Sequence, residues 1–118
     1  MMQPAVEMGA ENRREPRVRL DVAVSVFDRE SGEYVGLMVN VSSQGVMITS
    51  SRELKVDQVF QFALTKHPEQ KQVSIMPVFI AKSVWSSSAG EHFFNTGFEM
   101  MDSTIAAREL MGISSWID

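Results

Sequence analysis

The sequence predicts a mainly β chain, a small β-barrel closed off by a C-terminal helix. Three observations lead there. Apolar and polar residues alternate in several short segments, turn-forming residues separate those segments, and the apolar period lengthens beyond two only near the C-terminus. A chain of 118 residues is long enough for one modest core, so a single domain is expected over residues 12–118, with no internal repeat.

Residues 1–11 are small, polar and methionine-rich without periodicity, and are expected to form a disordered lead-in. Pro16 argues against a helix through the arginines that follow, because proline lacks a donor, clashes in a helix interior and biases Glu15 towards extended geometry. From Val18 the pattern alternates: Val18, Leu20, Val22, Val24 and Val26 share one face of a first strand. Residues 28–33, with Ser31-Gly32, supply turn chemistry. In the second strand Val35, Leu37, Val39 and Val41 are expected to face inward, leaving Asn40 and Ser42 outward on one side. Gly45 is expected to close a tight turn at positive φ, and residues 46–49 resume as a third strand.

Phe60, Phe62 and Leu64 mark a fourth alternating segment, ended by His67-Pro68-Glu69. Residues 73–85 form a long apolar stretch in which Pro77 implies an edge position, a bulge or two strands meeting at a bend. Residues 86–90 read as a loop and residues 94–101 as the last strand. Asp102 or Ser103 can then cap a helix whose apolar stripe is Ala106, Leu110, Ile113 and Ile117, with Gly112 weakening its continuity.

Composition excludes several function classes. No apolar run approaches the roughly 20 residues of a membrane-spanning helix, and no basic-then-apolar leader is visible at the N-terminus. There is no cysteine, hence no disulfide framework or thiolate metal site, which fits the cytoplasm. The formal charge of −4 disfavours a nucleic-acid polymer as partner. His67 and His92 stand apart with no metal-ligand spacing, no serine sits in a nucleophile elbow, and no phosphate-binding P-loop is present. Glu99 and Asp102 read as strand-face and cap residues, and Trp85, Phe93 and Phe94 as core or barrel-rim residues. The chain is expected not to be an enzyme and to carry no cofactor.

The acidic total hides an asymmetry. Residues 12–19 hold four arginines and one glutamate, a local charge of 4 − 1 = +3. That arm is either a binding element for a small anion or a solvated basic tail.

Two motifs bear on that choice. Arg13-Arg14-Glu15-Pro16-Arg17 has R-x-x-x-R spacing, and Asn40-Val41-Ser42-Ser43-Gln44-Gly45 has N-x-S-x-x-G spacing at the end of an alternating strand. Each is weak alone; their order, their separation and the strand that begins directly after Arg17 make the pair specific. Together they resemble the two ligand-binding elements of the PilZ family, small barrels that bind the bacterial second messenger cyclic di-GMP. Ala81-Lys82-Ser83-Val84-Trp85 and Gly97-Phe98-Glu99-Met100 look like the later strands of that family, so the resemblance covers nearly the whole chain.

The resemblance implies a six-stranded antiparallel β-barrel with a C-terminal α-helix, and cyclic di-GMP as ligand. Arginine suits that ligand, because its planar fork donates two parallel bonds to a phosphate or to guanine O6 and N7 and its face stacks on a base. Arg13 and Arg17 would clamp phosphate and guanine, while Arg14 either adds a phosphate contact or faces solvent. Asn40, Ser42 and Gly45 would form the opposite wall, with side-chain oxygens accepting from the guanine N1–H and N2–H₂ edge or facing a phosphate. Many family members have aspartate where this chain has Asn40; a neutral amide accepts through one oxygen only and binds less strongly. The family often carries a further arginine where Asn12 stands, which leaves open whether one ligand or a stacked pair is held. With no output domain in the chain, the expected role is a cytoplasmic receptor that signals in trans to an effector protein such as motility, pilus or exopolysaccharide machinery. The rivals are a PilZ-like adaptor that binds protein only and, less favoured, a barrel for single-stranded nucleic acid, which would need a basic groove with exposed aromatics.

Overall fold

A computed structural model describes residues 18–42, 45–67 and 69–112, and the backbone alone of residues 18–22. In chain order the strands are β1 (Val18–Asp28), β2 (Tyr34–Val41), β3 (Gly45–Ser50), β4 (Val59–Thr65), β5 (Val78–Ser88) and β6 (Phe94–Ser103), followed by the helix α1 (Ile105–Met111). All neighbouring strands are antiparallel, and the ladder closes on itself in the order β1-β2-β3-β6-β5-β4. The fold is therefore the six-stranded antiparallel barrel with one C-terminal helix. Closure comes between β1 and β4, which pair from Ser25–Thr65 to Asp28–Phe62.

Alternation fills the barrel as expected at Val24 and Val26 of β1 and at Phe62 and Leu64 of β4, which are buried with Met38, Ile48, Phe79 and Phe98. Of the first-strand face, Val18, Leu20 and Val22 lie outside the residues with described side chains. Aromatic rings organise the centre: Phe62 meets Phe98 edge-on with centroids 5.3 Å apart and stacks on Phe60 at 5.3 Å. Such pairs add about 0.5–1.5 kcal/mol each beyond the area they bury. Ala107 and Met111 of α1 join the same cluster, so the helix is part of the barrel core.

The first hairpin turns where its residues indicate. Asp28 Oδ1 accepts from the backbone N–H groups of Glu30 (2.8 Å) and Ser31 (3.0 Å), and Gly32 takes φ of 76°. Several other expectations need correction. Residues 73–75 form a 3₁₀ turn rather than strand, and Pro77 stands just before β5. Pro77 needs no donor there, while its carbonyl accepts from Leu64 N–H at 3.0 Å. The turn delivers Met76 onto Phe27 and Ala63, a small apolar cluster separate from the main core. Residues 86–88 are strand rather than loop, since Ser86, Ser87 and Ser88 pair with Thr96, Asn95 and Phe94.

The helix starts later than expected. Its N-cap is Thr104, whose Oγ1 accepts from Ala107 N–H at 3.1 Å, and not Asp102 or Ser103, which end β6. The inward residues are accordingly Ala107 and Met111, with Leu110 half-buried and Ala106 exposed. Gly112 terminates α1 with left-handed φ of 75°, its N–H returning to Glu109 O. Ile113 and Ile117 lie outside the described residues.

Candidate functional site

Two β-bulges shape a recess on the outer face of the barrel. In β2, Met38 pairs with Ile48 but Asn40 pairs with Met47, so Val39 is an extra residue that breaks the alternation. Met38 and Val41 point into the core. The expected inward set Val35, Leu37, Val39 and Val41 is thus corrected to Met38 and Val41, yet Asn40 still faces out. It does so because of the bulge: unbroken alternation from Met38 would have turned the amide inward. In β5, Ser83 pairs with Phe98 but Trp85 with Gly97, leaving Val84 as the extra residue. Phe79, Ala81 and Ser83 face inward, and the bulge turns Trp85 to the outer surface.

The register then places one row across four strands, Asn40 beside Met47, Met47 beside Gly97, and Gly97 beside Trp85. With strands about 4.8 Å apart, three gaps make this row roughly 14 Å wide. A β-carbon on Gly97 would overlap the Trp85 indole, which therefore lies flat over that glycine. The neighbouring row on the same face runs from Gly45 to Glu99 to Lys82. Both rows border a groove of about 710 Å³, lined by Asn40, Ser42, Gly45, Met47, Trp85 and Glu99 among others.

Three of the six residues singled out by sequence, Asn40, Ser42 and Gly45, thus share one groove. Ser42 and Gly45 close the β2–β3 hairpin, Ser42 N–H donating to Gly45 O at 2.8 Å and Gly45 N–H to Ser42 O at 3.3 Å. Gly45 does not have the positive φ expected of it; it is the first residue of β3. Glycine is required there by proximity, since a β-carbon would collide with the Phe98 carbonyl oxygen. Arg13, Arg14 and Arg17 lie outside the described residues. The structure does locate the start of β1: Val18 pairs with Val41 and the backbone of Arg19 with Asn40, so the chain enters the barrel beside the groove.

Trp85, Met47 and Glu99 are groove residues that the sequence reading did not select. A glycine inside a strand, here Gly97, marks close approach of another group and was the available signal for Trp85. The charge around the groove is sparse. Lys82 Nζ lies 3.2 Å from Asp57 Oδ1 rather than with Glu99, and Glu99 makes no ion pair or hydrogen bond among the described residues. A second recess, about 290 Å³, adjoins the start of β2, where Arg52 and Glu33 pair at 3.8 Å and burial raises the Tyr34 phenol above its usual 10.0.

His67 and His92 are exposed and each lies beside a neighbouring glutamate, Glu69 at 3.8 Å and Glu91 at 3.7 Å. Among the described residues no group of three acidic or histidine side chains could hold a metal, and no helix is long and apolar enough to cross a membrane.

Comparison with known proteins identifies one family. The model for the PilZ domain matches residues 11–111, a span that contains both sequence motifs and all six strands. No curated protein matches the chain.

Proposed function

We propose, since the chain belongs to the PilZ domain family, that it is a receptor for cyclic di-GMP which passes the signal to a partner protein. PilZ domains are binding domains, acting as cyclic di-GMP receptors or as adaptors, and the receptor reading is favoured by one observation above the others. Asn40, Ser42 and Gly45 lie together in an open groove beside the point where the arginine-bearing segment joins β1. Arg17 is one residue ahead of Val18, the partner of Val41, and consecutive Cα atoms are about 3.8 Å apart.

In this reading Arg13 and Arg17 close over the ligand from the arm, binding phosphate and the O6/N7 edge of guanine. Arg14 adds charge between them. Asn40 and Ser42 offer acceptors from the barrel side, and Gly45 keeps the hairpin low enough for the ligand to approach. Trp85, held flat by Gly97, offers a stacking face at the far end of the row. Binding would bring the arm onto the barrel and make a new surface for an effector such as motility, pilus or exopolysaccharide machinery, in a cytoplasmic setting and without catalysis.

The test is calorimetric titration of the protein with cyclic di-GMP, beside the variant Arg13→Ala/Arg17→Ala. Micromolar binding or tighter, about −8 kcal/mol or better, lost in the double variant, is the expected outcome. No binding by the unaltered protein would instead assign it to the adaptors.

A further inference from the structure

Glu99 is a carboxylate in a groove proposed for an anion, and neither sequence motif contains it. It lies on the outer face, across from Gly45 on one side and Lys82 on the other. Gly45 has no side chain to cover it, so Glu99 stands exposed at the groove wall two residues along β6 from Gly97, on the same face. The adjacent ammonium does not neutralise it, because Lys82 reaches to Asp57.

A carboxylate beside a phosphate is unfavourable. Beside the Watson–Crick edge of guanine it is matched: N1–H and N2–H₂ are adjacent donors, and a carboxylate presents two acceptor oxygens with nothing to donate. The Asn40 amide cannot supply that pair, having one acceptor oxygen and an NH₂ group that would face the guanine donors if turned. Resting on the receptor reading above, we infer that Glu99 is the guanine-reading residue of the groove, accepting from N1–H and N2–H₂ with both oxygens. The arginine arm then holds phosphate and the O6/N7 edge, and β6 reads the opposite, N1–H and N2–H₂ edge. Adenine is rejected at the same place, because its N1 carries a lone pair that faces the carboxylate.

The experiment compares cyclic di-GMP with cyclic di-AMP on the unaltered protein and on Glu99→Gln. Glu99 is exposed, so the variant is expected to keep its melting temperature, which is measured alongside. Charge-assisted hydrogen bonds are the stronger kind, so Glu99→Gln should weaken cyclic di-GMP by about tenfold or more, leave cyclic di-AMP no weaker, and narrow the preference between them. If Glu99 only sits near the ligand's phosphates, the same variant should tighten both ligands, and that result overturns the inference. Unchanged affinity overturns it too. Failure of the unaltered protein to bind cyclic di-GMP at all would instead remove the receptor reading on which the inference rests.

Discussion

Two glycines decide the shape of the groove by what they lack. Gly45 admits the Phe98 carbonyl and Gly97 admits the Trp85 indole, so each lets a neighbouring strand's atoms occupy the place of a side chain. For Gly97 the consequence is measurable. In Gly97→Ala the methyl group and the indole compete for one space, and the ring must leave its seat. The expected cost is about 1–3 kcal/mol, the range for overpacking, with Trp85 emission shifted towards that of a solvated indole. A Trp116→Phe background makes that emission report on Trp85 alone, since the chain has two tryptophans. Ligand affinity measured on the same variant then shows whether the flat indole contributes to binding. None of this packing was legible from the residues one at a time: Trp85 and Glu99 read as ordinary rim and strand-face residues, because their importance comes from what stands beside them on other strands.

Among the elements, the alternating segments that became β1 to β4 and β6 were legible, and two of the errors lie where a bulge or a cap intervenes. Strict alternation along β2 is broken at Val39, and along β5 at Val84. A bulge depends on pairing with the neighbouring strand and leaves little trace in the strand's own sequence. The inward set was therefore misassigned in β2, although Asn40 was correctly expected to face out. The helix shows the same limit at its start. Asp102, Ser103 and Thr104 are all competent caps by residue type, and the selection fell to Thr104 because β6 keeps pairing through Ser103. Moving the cap shifts the buried face from Ala106 to Ala107 and Met111. Thr104→Ala is expected to cost about 1 kcal/mol and to lower the melting temperature by about 4 °C, read by circular dichroism, with the barrel intact. A loss far above this would mean that the helix closes the core more tightly than a cap alone accounts for.

At the scale of the whole molecule, closure of the sheet gathers apolar residues from all six strands and from α1 into one core. Phe62 is its centre, in ring contact with Phe60, Phe79 and Phe98. Phe62→Ala should cost about 3–5 kcal/mol, a large share of the 5–15 kcal/mol typical of a domain, and chemical denaturation should register it as a lower midpoint. The β-barrel class, the terminal helix and the two spaced motifs could all be read from the sequence, because alternation, turn residues and motif order are local properties of the chain. Tertiary structure alone decided that Trp85 faces outward on the surface that carries Asn40, and that Glu99 borders the same groove as Ser42 and Gly45. Those placements follow from the register between strands distant in sequence, where one extra residue in a ladder exchanges the inside of a barrel for its outside.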